Sequence, residues 1–130
     1  MFEHEIDVRF RDCDPMGHVN NAVYLTYLEA ARFAWWRQAF GPSGITDHGF
    51  IVARVEIDYR KPALPGERLI VRLRVVGLGK SSFTVAYEIL NGRTHELVAE
   101  GKSVQVAFDY TQGKSVPLSD NLRARLEAAF

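Results

Sequence analysis

The chain has 130 residues, 47% of them hydrophobic and 25% charged, which is enough to bury one core without disulfide or metal staples. Sixteen basic and sixteen acidic residues leave no net charge, so the broad basic excess of a nucleic-acid binder is absent. Cys13 is the one cysteine, which excludes an internal disulfide and points to a reducing, cytoplasmic compartment.

The first ten residues, MFEHEIDVRF, alternate apolar and charged side chains. They contain no apolar signal-peptide region, and no run in the chain approaches the roughly 18 apolar residues of a membrane span. Phe2, His4, Ile6, Val8 and Phe10 share one parity, and Glu3, Glu5, Asp7 and Arg9 the other, which predicts a half-buried strand. RDCDPMGHVN (11–20) is rich in turn formers, with Pro15 fixing φ and Gly17 permitting a reversal. From Asn21 the period changes. Tyr24, Tyr27, Leu28, Ala31, Ala34 and Trp35 recur at three- and four-residue intervals, predicting a helix about 19 residues and roughly 28 Å long. Asn20 or Asn21 is its expected cap, and Gly41-Pro42 its stop.

Four more strands are predicted. Ile51, Ala53, Val55, Ile57 and Tyr59 form one apolar parity; Leu69, Val71, Leu73 and Val75 form the next, and Phe83, Val85, Tyr87 and Ile89 the third. Asn91-Gly92 predicts a type I′ hairpin into the last strand. There the apolar parity switches from Leu97 and Ala99 to Val104, Val106 and Phe108, which predicts a bulge near Gly101. Ser119 onward, with Leu122 and Leu126, reads as a short terminal helix. No repeat or linker breaks the chain, so residues 1–130 read as a single domain. The expected class is α+β: an antiparallel sheet of about five strands curled around one long helix, with the short helix at the C-terminus. The remaining sheet face and edges predict self-association.

The segment before the helix carries more chemistry than a turn requires. Asp12, Cys13, Asp14, His18, Asn20 and Asn21 precede a helix N-terminus, whose unpaired N–H groups can polarise a carbonyl. A nearby carboxylate can attack that carbonyl or activate water. Each residue also has a plainer reading. Asp14-Pro15 opens turns, Asp12 pairs with Arg9 or Arg11, and Asn21 caps the helix. Cys13 is a small filler rather than a thiol nucleophile, His18 orders its loop, and no ligand spacing supports a metal. Arg60-Lys61 and Lys80 flank loops, where they hold phosphates or are simply solvated.

The run VRFRDCDPMGHVNNAVYLTYLEAAR resembles the 4-hydroxybenzoyl-CoA thioesterase family of hotdog-fold proteins, in its D-x-D-x-x-G-H-V-N-N branch. IDYRKPALPGERL and the G-x-G-K-S-S-F turn are similar to the same family, and the likeness runs through nearly the whole chain to about Phe108. The resemblance implies a hotdog fold and hydrolysis of an acyl-CoA thioester, with no cofactor and no metal. Asp14 falls on the catalytic carboxylate, as nucleophile or general base. The resemblance places His18, Asn20, Asn21, Ala22, Val23 and Tyr24 around the thioester, with amides near the helix start polarising its carbonyl. It assigns Arg60, Lys61, Lys80 and Ser81 to coenzyme A, with the pantetheine arm entering between the subunits of a homodimer or homotetramer. Some relatives carry histidine where this chain has Asn21, and the Asn-Asn form leans toward longer aliphatic acyl groups. Two alternatives stay open: an acyl-carrier-protein thioesterase, and a non-catalytic acyl-CoA-binding or sensor module. The carboxylate of Asp14 separates hydrolase from binder.

Overall fold

The computed structural model describes residues 1–41 and 49–130. β1 (Phe2–Asp7) leads through a short turn of helix and a loop into α1 (Val23–Phe40), and then come β2 (Phe50–Tyr59), β3 (Arg68–Leu78), β4 (Ser82–Asn91), β5 (Leu97–Asp109), β6 (Lys114–Ser115) and α2 (Asp120–Glu127). The sheet order is β1-β3-β4-β5-β2, antiparallel throughout, with β6 paired to β5. This is the expected α+β sheet wrapped on one long helix.

The helix and sheet form because their apolar periods match. Tyr24, Tyr27, Leu28, Ala31, Trp35 and Trp36 bury one face of α1 against Leu69, Val71, Leu73 and Val75 of β3 and Phe83, Val85, Tyr87 and Ile89 of β4. Each such aliphatic side chain contributes about 1.5–3 kcal/mol on burial. α1 leans on β1 and β3. Gly41 closes it in the left-handed region (φ 82), donating to the Arg37 carbonyl at 2.8 Å; Pro42, the other half of the expected stop, lies outside the described residues. α2 matches its expectation: Ser119 Oγ accepts the Leu122 N–H at 3.2 Å, and Leu122 and Leu126 are buried.

Four local expectations are corrected. The residue before α1 is Ala22, with no side-chain cap; Asn20 instead holds the Ala22 N–H at 2.9 Å, just ahead of the helix. The Asn91-Gly92 turn is not a two-residue hairpin. Asn91 Oδ1 accepts the Arg93 and Thr94 amides at 2.9 and 3.1 Å, and the left-handed residue is His95 (φ 63). The bulge near Gly101 lies elsewhere: the β4–β5 register slips at Leu97–Ala99 and the β2–β5 register slips at Ala53. Past the first slip, β5 keeps odd residues inward, and these include the buried polar pair Ser103 and Gln105. The pattern misled because Val104, Val106 and Phe108 face outward. Gly101 serves another purpose, since a Cβ there would sit 2.2 Å from the Glu56 carbonyl oxygen, where β2 crosses closely.

Finally, the apolar parity of β2 is not core. Register places Val52, Val55, Ile57 and Tyr59 on the inner face, but β2 is the sheet edge; α1 meets it near its ends, through Trp36 on Phe50 and Tyr24 on Tyr59, and Val52 and Val55 between them stay exposed.

Candidate active site

The loop ahead of α1 is a closed frame. Asn20 donates its backbone N–H to the Asp12 carbonyl at 3.0 Å, and Asp14 donates to the His18 carbonyl at 3.0 Å. The Val19 N–H anchors the loop to Ala63 at 2.9 Å, and Gly17 makes the reversal with φ 88. Asp12 is the buried peg of this frame. Its carboxylate accepts the Arg9 N–H at 3.0 Å, the Arg9 guanidinium at 3.0 Å and the Tyr27 hydroxyl at 2.8 Å. Burial alone would raise the Asp12 carboxyl, but hydrogen bonds from the Arg9 side chain, the Arg9 amide and Tyr27, with the Arg9 charge, outweigh it and hold the group below its ordinary value. Asp12 is therefore structural, paired with Arg9 as one sequence reading had it.

Asp14 differs. Its Oδ1 accepts the Met16 N–H at 2.9 Å, which fixes the rotamer, while Oδ2 has no partner among the described residues. The carboxylate borders a cleft of about 440 Å³, together with His18, Asn21, Tyr24, Tyr59, Arg60 and Lys61. The first amides of α1 lack helical acceptors. Asn20 takes two of the neighbouring ones, Ala22 through Oδ1 and Val23 through its carbonyl at 2.9 Å. The Asn21 and Tyr24 N–H groups have no acceptor among the described residues. Of the amides around Asn21 to Val23 that the resemblance implied, the Asn21 N–H stays free among the described residues, and the Tyr24 N–H joins it. His18 stays in the loop, with Nδ1 3.4 Å from the Val19 carbonyl oxygen. Burial, with the Asp12 and Asp14 charges, pushes the Cys13 thiol up, which disfavours the thiolate a nucleophile needs. Among the described residues no group of three or more His, Cys, Asp or Glu side chains is set to hold a metal.

Tyr59 is a residue that sequence reasoning assigned to the core. Its hydroxyl donates to the Asn21 carbonyl at 2.9 Å, and its ring meets Tyr24 edge-on at 5.2 Å, so it ties the edge strand to the helix start. Its place beside Arg60-Lys61 was the available signal. Tyr24 in turn accepts the Ala63 N–H at 3.3 Å. At the rim Arg60 pairs with Glu100 at 3.1 Å and Lys61 with Glu96, all four side chains being well exposed. Such pairs contribute at most about 1 kcal/mol, so an incoming phosphate can replace the carboxylates at small cost. Lys80 and Ser81 do not join this cleft within one chain. They form the β3–β4 turn, held by Leu118 and Ala107, and β3 separates that turn from the rim by about 35 Å.

Leu25 and Phe33 of α1 and Val52 and Val55 of the inner face of β2 are exposed, with Ile57 half-buried, and together they form an open apolar strip, the trough. Phe33 and Val52 of the trough also line a second cleft of about 450 Å³, together with the rings of Trp36, Phe50 and Phe83.

A family model described as the thioesterase-like superfamily matches residues 8–126. The chain belongs to that superfamily. The long-chain acyl-CoA thioesterase FadM of Escherichia coli is 30% identical over 125 residues, covering 95% of each chain. The 1,4-dihydroxy-2-naphthoyl-CoA hydrolase of Synechococcus elongatus is 27% identical, covering 92% of this chain and 90% of its own. Among solved structures, a Thermus thermophilus thioesterase complexed with coenzyme A and Zn superposes with a TM-score of 0.87 and 40% identity, over 98% of this chain and 92% of the other. Its relatives hydrolyse thioesters by name, and this superfamily member is an enzyme of that class.

Proposed function

We propose that this thioesterase-superfamily chain, folded as a single domain over residues 1–130, hydrolyses an acyl-CoA thioester to the free acid and coenzyme A, with Asp14 as its reactive group. The observation that carries this reading is a rotamer-locked carboxylate with one open oxygen, bordering the same cleft as two helix-start residues whose amides lack acceptors. As a general base, Asp14 takes a proton from water while the oxygen of that water bonds to the thioester carbonyl carbon. As a nucleophile, Asp14 itself forms that bond, releasing the thiolate and leaving an anhydride that water then opens. Either way the carbonyl oxygen gains negative charge, which the Asn21 and Tyr24 amides can stabilise. The C–S bond then breaks, and the coenzyme A thiolate takes up a proton.

Arg60 and Lys61 would hold the nucleotide phosphates, with His18, Asn20, Ala22 and Val23 shaping the cleft. A homodimer completes the picture. Antiparallel pairing of the exposed β2 edge with a second copy would cover the trough and bring Lys80 and Ser81 of that copy toward the nucleotide. The D-x-D-x-x-G-H-V-N-N motif supports a reading of the chain as a member of that branch of the 4-hydroxybenzoyl-CoA thioesterase family, and the trough suits a long acyl group. Among the described residues no helix is long and apolar enough to cross a membrane; we place the protein in the cytoplasm. An acidic acyl carrier protein is the second carrier that the basic rim would accept.

Thiol release from a panel of acyl-CoAs, short to long and aromatic, tests the reading. Asp14→Asn should lower hydrolysis by a factor on the order of 100 or more with fold and oligomer intact. Undiminished hydrolysis in the folded variant would remove Asp14 from the chemistry. Binding without hydrolysis across the panel would favour a carrier-protein thioesterase or a sensor.

A further inference from the structure

In the aromatic cleft the apolar lining is interrupted by a polar chain. Arg32 Nη1 donates to the Tyr87 hydroxyl at 3.1 Å, Tyr87 shares a 2.6 Å hydrogen bond with Ser103, Ser103 bonds to Gln105, and Gln105 Nε2 reaches the Phe83 carbonyl at 3.3 Å. Tyr87, Ser103 and Gln105 are buried and Arg32 is half-buried. Arg32 and Gln105 both line the aromatic cleft.

The chain is complete except at Arg32. A guanidinium carries five N–H donors, and Tyr87 takes one of them. Among the described residues Arg32 has no carboxylate within ion-pair distance; Glu29, one helical turn earlier on the same cleft, does not reach it. A cation with unused donors beside aromatic rings is poorly solvated and favours an oxygen acceptor. From Tyr24 to Arg32 the helix rises about 12 Å, roughly the span of an extended ten-carbon chain built on bonds of about 1.5 Å.

We propose that Arg32, backed by Tyr87, Ser103 and Gln105, selects acyl groups that carry an oxygen, as carboxylate or hydroxyl, at the end remote from the thioester. The inference rests on the thioesterase reading above and sharpens its substrate class. Arg32 touches no reacting atom and acts on specificity alone.

Decanoyl-CoA and its ω-hydroxy and ω-carboxy counterparts, matched in chain length, test this on the wild-type protein and on Arg32→Met. The wild type should favour one or both oxygen-terminated substrates by about 10-fold or more in kcat/KM, and which of the two leads identifies the group. Arg32→Met should erase that preference, mainly through KM, while leaving decanoyl-CoA within about threefold. Equal use of all three substrates by the wild type, or an equal loss on all three in Arg32→Met, would overturn the proposal. If Arg32→Met does not fold, Arg32→Lys, which keeps the charge but loses the planar fork, should weaken the preference partially. Absence of hydrolysis on every substrate would instead count against the thioesterase reading. The proposal is then decided by titrating the matching free acids against the fluorescence of Trp35 and Trp36, which line the cleft. Tighter binding of the oxygen-terminated acids, lost in the variant, supports it; equal binding overturns it.

Discussion

Replacing Asp12 with asparagine removes one charge from a carboxylate that is 3% exposed and changes its shape very little. The amide oxygen can keep the Arg9 N–H and Tyr27 hydroxyl bonds, both now neutral. The amide NH₂ then faces the Arg9 guanidinium, donor against donor, and Arg9, whose side chain is 63% exposed, swings into water. Losing charge assistance on two retained bonds and one half-exposed ion pair costs about 2 kcal/mol in total. In a domain of this size that lowers Tm by about 7 °C. The sign with pH follows from the Asp12 carboxyl being held below its ordinary value. Its stabilising contribution is fully present above the unfolded value near 3.8 and is lost as pH falls through the lower folded value. Urea unfolding of both proteins at neutral pH and at a series of acid pH values measures the difference directly. The gap should be widest at neutral pH and close toward the acid end. A gap below about 0.5 kcal/mol at pH 7, or one that does not change with pH, would refute the assignment of Asp12 as the charged peg of the loop.

Gly101→Ala should force β2 away from β5, because the added Cβ meets the Glu56 carbonyl oxygen at 2.2 Å; a loss of about 3 kcal/mol in chemical unfolding, with faster amide exchange along β2, is expected. Cys13→Ser should leave the hydrolytic rate within about twofold, and modification of the wild-type thiol should accelerate only above the ordinary thiol range, since its titration is shifted upward. Tyr59→Phe removes the bond to the Asn21 carbonyl and should lower kcat by about tenfold with KM little changed, read by steady-state kinetics on a folded variant.

The fold was legible wherever one period ran uninterrupted and one face met the core. β3, β4 and Tyr24, Tyr27, Leu28, Ala31 and Trp35 of α1 are buried as their spacing predicts, with Trp36 buried where Ala34 was expected, and Ser119 with Leu122 and Leu126 builds α2 as read. The errors share a cause. In β5 the inward positions include Ser103 and Gln105, so hydrophobicity pointed to the wrong face, and the register slips sit at Ala53 and beside Val98, where no glycine marks them. In β2 the alternation is real, but its inner face stays exposed at Val52 and Val55, between the ends that α1 touches. The site was legible in part for the same reason. Asp14, His18, Asn21, Tyr24, Arg60 and Lys61 do share one cleft, because the loop and the β2 end are both tied through Ala63 and Val98. Which helix amides stay free was not legible, since it depends on Asn20 holding its two neighbours. Nor was the Arg32–Tyr87 contact, which joins α1 to a strand 55 residues further along the chain.

The carboxylate of Asp14 is steered by the main chain: by the Met16 N–H on Oδ1 and by the Asp14–His18 and Asp12–Asn20 backbone bonds around it. None of these contacts depends on which side chains line the trough or the aromatic cleft. Residues such as Leu25, Phe33, Val52 and Val55 can therefore change without moving the Asp14 carboxylate. On the proposed chemistry, a scaffold built this way lets descendants exchange one diet of acyl groups for another by drift along the trough, while the Asp14 end stays fixed.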